Sequence, residues 1–302
     1  MAFRIRTFER GDAAAVTAIR SAVAPYLITT AESLLWRIDH APPTERGRLL
    51  VAEVDGRIAG RAGARLEWET SLPGQGTFDV TVLPEHRGRG IGGALARAAE
   101  EHLRTVGAVT LRTLALDEDS GRFAERRGYR RRSTARFQEL ELAALPPLPR
   151  RPEGVELRSY EDYRLDPGPV HAVEAAAIAD EPGDFPLDAV SYDGWLASEW
   201  ENPLLDRELS TVAVVDGRAV AAVNIQSDGR SRIGSGMTGT LREYRGLGLA
   251  GYTKTAALHR ARERGHTHAY TANDDTNAPM LAINDRLGYR PCGRQLVYAR
   301  EP

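Results

Sequence analysis

The chain has 302 residues, 42% apolar and 27% charged, with a net charge of −2. At roughly 150 residues per domain that is two domains, too balanced for disorder and too acidic for generic nucleic-acid binding. Arginine interrupts every apolar run short of the roughly 20 residues a membrane span needs, Cys292 is the only cysteine, and Met-Ala-Phe-Arg-Ile-Arg is no secretory leader, so the expectation is a cytoplasmic protein without disulfides.

The predicted elements begin with a strand over residues 3–8, an alanine-rich helical stretch and a second one around 31–39. Val51 to Arg57 reads as two strands joined by Asp55-Gly56, a strong hairpin signal. Residues 77–83 alternate like a strand. A glycine-rich loop then opens a helix over 91–106, with Ala94, Leu95, Ala98, Ala99 and Leu103 along one face. A strand over 108–116 and a short helix ending at Gly128 complete the round.

Past residue 145 the same order returns. Arg6-Thr7-Phe8 is echoed by Arg158-Ser159-Tyr160, and the hairpin at Asp55-Gly56 by one at Asp216-Gly217. Arg87-Gly88-Arg89-Gly90-Ile91-Gly92 returns as Arg245-Gly246-Leu247-Gly248-Leu249-Ala250, and Gly128-Tyr129-Arg130 as Gly288-Tyr289-Arg290. A period this long is a duplicated domain rather than a solenoid. Between the copies, four prolines in 145–152 read as an extended linker. The division is therefore 1–144, a linker over 145–153, and 154–302. Each copy is α+β, a mixed and mostly antiparallel sheet flanked by helices.

Gly88-x-Gly90-x-x-Gly93 and Gly246-x-Gly248-x-x-Gly251 satisfy the dinucleotide fingerprint, but both come after antiparallel hairpins some 80 residues into a domain, where that fingerprint does not belong. The underlying physics survives. Glycines let successive amides turn inward, and the next helix adds free N–H groups and its positive dipole end, which suits a pyrophosphate. Arg87 and Arg245 add a guanidinium before each loop.

These two loops resemble the Arg/Gln-x-x-Gly-x-Gly/Ala signature of the GCN5-related N-acetyltransferases. The preceding strands, 79–86 and 237–244, and the later segment Asn273 to Tyr289 are similar to the same family. The tandem layout resembles its two-domain, mycothiol synthase type. The resemblance implies acetyl-CoA as donor and no metal. It implies that the amides of Arg89, Gly90, Ile91, Gly92 and Gly93 in copy one, and of Leu247, Gly248, Leu249, Ala250 and Gly251 in copy two, hold the pyrophosphate. Val82–Leu83 and Thr240–Leu241 would pair with the pantetheine arm as an added strand, and Asn273 and Asn277 would face that arm.

Copy two keeps both asparagines, whereas copy one has the acidic stretch Asp117-Glu118-Asp119, so copy two is favoured as the catalyst. The family's proton-donating tyrosine would stand four residues before Gly128 or Gly288, where this chain has Ala124 and Asn284. Asn284 is therefore a candidate catalytic position. Tyr129 and Tyr289 are expected in the core. Asp79 and Glu199, with Glu201 beside it, are candidates for the base that neutralises an attacking amine. His266 and His268 lack a third ligand for a metal. Asp180, Glu181 and Asp184, with Asp188 and Asp193 after them, suit a cationic acceptor. The reading is direct acetyl transfer to a primary amine of a small molecule by a monomer or homodimer, with no nucleic acid or membrane partner. Its alternatives are a non-catalytic acyl-CoA-binding sensor and a protein or peptide N-acetyltransferase.

Overall fold

Asp55 and Gly56, and again Asp216 and Gly217, all take positive φ, as a two-residue hairpin turn matched to strand twist requires. Around these hairpins the computed structural model, which describes residues 2–183, 185–188 and 190–301, repeats one order of elements. The first round is β1 (Phe3–Thr7), α1 (Ala13–Val23), α2 (Ala31–His40), β2 (Arg48–Val54), β3 (Arg57–Leu66), β4 (Gln75–Val82), α3 (Ile91–Thr105), β5 (Thr110–Ala115), α4 (Glu118–Glu125) and β6 (Arg130–Glu141). The second is β7 (Val155–Ser159), α5 (Gly168–Ile178), α6 (Tyr192–Trp195), β8 (Thr211–Val215), β9 (Arg218–Ser227), β10 (Arg232–Thr240), α7 (Leu249–Glu263), β11 (His268–Asp274), α8 (Ala278–Leu287) and β12 (Arg290–Arg300). The architecture is the α+β one expected.

The chain forms two compact units. Unit 1 holds residues 2–135, 185–188 and 293–301; unit 2 holds 136–183 and 190–292. The sheet of unit 1 runs β1-β2-β3-β4-β5-β12, and that of unit 2 runs β7-β8-β9-β10-β11-β6. This differs from a division at 144 and 154. The sequence period counts copies, whereas strand pairing decides membership. β12 pairs antiparallel with β5, Leu296 opposite Ala115, and its Leu296 and Tyr298 are buried in the core of unit 1. The start of the proline-rich stretch belongs to unit 2, where Leu142 and Leu145 are buried and the ring of His259 donates to the Pro146 carbonyl at 2.9 Å.

The helix after each glycine loop covers its own sheet. In unit 1, Leu95, Ala99 and Leu103 of α3 are fully buried; in unit 2, Ala257, Leu258 and Ala261 of α7 are equally so. Complete burial of a leucine side chain is worth about 1.5–3 kcal/mol, so these residues anchor each core. The two sheets differ at the strand that leads into the glycine loop. β3 and β4 pair without a break from Gly60–Val82 to Leu66–Gly76. In unit 2 the register slips between Ser235 and Thr238, so that Gly236 and Met237 together oppose Asn224. Such a bulge bends and twists its strand.

Candidate active site

The bulge coincides with a parting of strands. β10 and β11 pair in parallel from Arg232–His268 only as far as Ser235–Thr271. Beyond that point β10 runs on through 236–240 without β11 beside it. A cleft of about 840 Å³ opens here, between the two strands, the N-terminus of α7 and one side of α8. α5 forms its other wall. A Cβ on Gly239 would lie 2.2 Å from Cβ of Ala177, so glycine at 239 is what lets the helix lie this close. α5 is itself fixed from below. The buried Glu174 carboxyl accepts from Tyr160 Oη at 2.7 Å and Trp195 Nε1 at 2.6 Å, and burial raises its pKa.

The glycine loop forms the mouth. Gly246 and Gly248 take φ of 78° and 75°, and Gly248 caps α7. The first helical bond runs from Tyr252 N–H to Gly248 O at 3.0 Å, which leaves the amides of Leu249, Ala250 and Gly251 ahead of it without a helical acceptor. Arg245, expected to add a cationic group before the loop, is engaged within the protein. Its Nε donates to the Thr240 carbonyl at 3.1 Å and its NH2 to Asp180 at 2.6 Å. Asp180 also binds Arg242, and these hydrogen bonds hold its carboxyl well below the usual range. Arg87 clasps the Val82 carbonyl in the same way at 3.2 Å. In both copies, then, the arginine pins the strand to its loop.

Of the residues predicted to bind the donor in copy two, Thr240, Arg245, Gly248, Leu249, Ala250, Gly251, Asn273 and Asn277 line the cleft. Leu241 is buried in the apolar core and Leu247 is 63% exposed. Asn277 caps α8, its Oδ1 accepting from Met280 N–H at 3.3 Å, so its Nδ2 is the group left for a ligand. Thr238 Oγ1 and Thr240 Oγ1 are buried without a hydrogen-bond partner among the described residues. Unpaired hydroxyls, helix N-terminal amides and an open strand edge suit a molecule with a pyrophosphate and an amide-bearing arm, which is the chemistry of CoA.

The candidate catalytic residues lie in three places. Asp79 of β4 is in unit 1, paired through both oxygens with Arg61; burial works against its ionisation, but Arg61 and Arg20 outweigh it and keep its pKa below the usual value. Glu199 stands in a π-helical turn, Leu196–Trp200, outside the cleft lining. Asn284 is fully buried below the cleft. Its Nδ2 donates to Gln138 Oε1 at 3.0 Å and Asn273 Oδ1 at 2.8 Å, and its Oδ1 accepts from Lys254 Nζ at 2.8 Å. Tyr129 and Tyr289 are buried, Tyr129 donating to Glu100 at 3.1 Å.

Two groups at this site are not among the catalytic candidates that sequence reading offers. Lys254 is the only lysine in the chain and is fully buried, which pushes its pKa down to about 7. Its solitude is the signal the sequence carries; its depth is not visible there. Glu181 stands at the cleft rim, its pKa raised by desolvation and by the charge of Asp274. Of the remaining acidic stretch, Asp188 accepts from Ser71 in unit 1, at 2.8 Å from both N–H and Oγ, and Asp184 lies outside the described residues. Among the described residues no cluster of His, Cys, Asp and Glu has metal-site geometry, and no helix is long and apolar enough to cross a membrane.

The copies diverge sharply at the floor. With the glycine loops and the strands after them in register, Lys254 and Asn273 correspond to Ala96 and Ala115, and with Gly288 set on Gly128, Asn284 corresponds to Ala124; all three alanines are buried. Thr271 corresponds to Thr113. The polar floor is therefore specific to unit 2.

The chain matches the model of the acetyltransferase (GNAT) family over residues 16–129. A mycothiol acetyltransferase of Brachybacterium faecium is 30% identical over 236 residues, covering 75% of this chain and 68% of that one. Another, from Acidothermus cellulolyticus, is 27% identical over 271 residues, covering 85% and 81%. A tandem GNAT protein from the clavulanic acid biosynthesis pathway shares the fold over 99% of this chain and 98% of its own, with a TM-score of 0.74 at 22% identity. The chain belongs to the acetyltransferase (GNAT) family, as an acetyl-CoA-dependent N-acetyltransferase with the family's domain in tandem.

Proposed function

We propose that unit 2 transfers the acetyl group of acetyl-CoA directly to a primary amine of a small molecule bound against the acidic rim of its cleft. The observation that carries this reading is the parting of β10 from β11 after Ser235–Thr271, directly below the free amides of the α7 N-terminus. The amides of Leu249, Ala250 and Gly251 receive the pyrophosphate, and the unpartnered side of β10 receives the arm. The acyl end then reaches the point where the strands rejoin.

An attacking amine must be neutral, and Glu181 is the carboxylate placed to take its proton. A raised pKa makes it a stronger base than an ordinary glutamate. Asp79 is tied to a guanidinium in the other unit and has the opposite shift. Unit 1 retains a glycine loop but has alanines beneath it, which suits a supporting or donor-holding copy.

The relatives named mycothiol acetyltransferase make a cysteinyl amino-sugar conjugate the first acceptor to assay. Purified protein is incubated with acetyl-CoA and a panel comprising that conjugate, glucosamine and simple primary amines, and CoA thiol release is measured. Release with one or more amines is the expected result. Tight acetyl-CoA binding with no release on any of them would replace this reading with a non-catalytic sensor, and acetylation of peptides alone would move the acceptor class.

A further inference from the structure

Lys254 is the buried ionisable group for which acetyl transfer to an amine has so far no use, and its surroundings are unusual for a cation. From α8 it meets Asn284 Oδ1 at 2.8 Å, and from β11 it meets Thr271 Oγ1 at 3.4 Å. The ring of Tyr289, 5.0 Å from Nζ, covers another side. Burial holds the Tyr289 phenol above its usual pKa, so it stays neutral. None of these neighbours is a carboxylate, and the only cause of the lysine's lowered pKa is desolvation. An ammonium kept in such a place costs stability, and unit 1 dispenses with it by placing Ala96 and Ala124 there.

What the site gains lies on the other side of Thr271. That residue lines the cleft and stands at the last paired position before β10 and β11 separate. A linear arm entering from the glycine loop between the strands ends at this point. A threonine hydroxyl that accepts from Lys254 still has its own proton to donate into the cleft.

Resting on the reading of this cleft as an acetyl-transfer site, we propose that Lys254 supplies, through the hydroxyl of Thr271, the proton taken up by the departing CoA thiolate. As the amine nitrogen bonds to the carbonyl carbon, the C–S bond breaks and its electron pair goes to sulfur. Sulfur takes the Thr271 hydroxyl proton, and Thr271 Oγ1 takes a proton from Lys254 Nζ. The amine's surplus proton goes to Glu181. The products are the N-acetyl amide and free CoA thiol, with Lys254 neutral and Glu181 protonated, and exchange with solvent restores both. Lys254 acts through Thr271 and does not itself touch the acyl donor. The direction of transfer is favourable, since an ammonium with a pKa of about 7 gives up its proton to an alkyl thiolate, whose thiol pKa is roughly 8.5. An ordinary lysine would retain it. Asn284 holds the ammonium against Thr271 and is itself held by Gln138 and Asn273.

The test uses the full chain, acetyl-CoA and whichever amine of the panel the wild-type protein acetylates fastest. Thr271→Val, nearly the same shape, lowers kcat at least tenfold while the KM for acetyl-CoA stays within twofold, and Thr271→Ser restores most of the rate. Lys254→Met lowers kcat similarly and removes the alkaline limb, near pH 7, of the kcat–pH profile. Circular dichroism and acetyl-CoA titration calorimetry establish that each variant folds and binds. Wild-type kcat in Thr271→Val, or an unaltered alkaline limb in Lys254→Met, overturns the relay and leaves the acetyltransferase reading standing. A wild-type protein that binds acetyl-CoA but acetylates no amine overturns both.

Discussion

Lys254 Nζ donates to Asn284 Oδ1 at 2.8 Å, and both side chains are fully buried. This pair makes the floor of the cleft responsive to pH. Burial lowers the lysine pKa to about 7, against about 10.4 in an unfolded chain. Between those values the unfolded state holds more protons, so the destabilising burden of the charge is complete below pH 7 and is relieved as pH rises. Wild-type stability should gain on Lys254→Met by up to about 1.4 kcal/mol per pH unit across this window. Urea denaturation from pH 6 to 9 measures it, and parallel profiles for the two proteins would count against a buried ammonium.

Removing only the amide should do more harm than removing both partners. Asn284→Ala leaves Lys254, Gln138 and Asn273 each short of a hydrogen bond and should cost about 2–4 kcal/mol. The double substitution Lys254→Met, Asn284→Leu removes charge and acceptor together and should cost less than Asn284→Ala alone. Denaturant midpoints decide the order.

At the mouth, Gly248 holds φ of 75° with open space around its missing Cβ. Gly248→Val therefore meets no clash; its penalty is the conformation, severe for a β-branched residue. The loop must shift, and kcat/KM for acetyl-CoA should fall at least tenfold. Unchanged turnover would locate catalysis outside unit 2.

With Glu181 as the proposed base, its carboxyl should set the acid side of the rate profile. The carboxylate is the working form, so rate rises with pH through its raised pKa. Glu181→Gln should lower kcat about 100-fold and flatten that limb. Asp274→Asn, which removes one source of the raised pKa, should move the limb to lower pH while retaining most of the plateau rate. An acid limb that survives in Glu181→Gln would assign it to another group.

Asp180 restrains two guanidiniums beside the pyrophosphate cradle, those of Arg242 and Arg245. Asp180→Asn should tighten CoA binding several-fold in low salt, and the gain should vanish near 0.5 M salt, where screening acts within a few ångströms. Calorimetry at the two salt concentrations measures it. Weaker binding at low salt would show instead that Asp180 is needed to hold the loop in place.

Much of this protein is legible in one dimension because its signals are local. The Asp-Gly turns need only two residues with positive φ, the glycine loops only a strand before and a helix after, and a recurrence of both is visible without any fold. Hence the duplication, the α+β order and the glycine cradle all emerge from reading along the chain. The bulge at Gly236–Met237 escapes such a reading because it is one extra residue, recognised only against the opposing Asn224.

Local signals thus suffice to establish that one domain occurs twice and that each copy presents a glycine loop at a helix N-terminus. Which strands complete each sheet is a matter of tertiary packing, since a strand edge accepts any partner of suitable register and β12 finds β5 across most of the chain. The same holds for the meaning of the solitary lysine. Lys254, Thr271 and Asn284 are spread over 31 positions, and only the packing of α7, β11 and α8 brings an ammonium, a hydroxyl and an amide into one buried place. Charge, exposure and proton affinity depend on that surrounding, which no residue carries by itself.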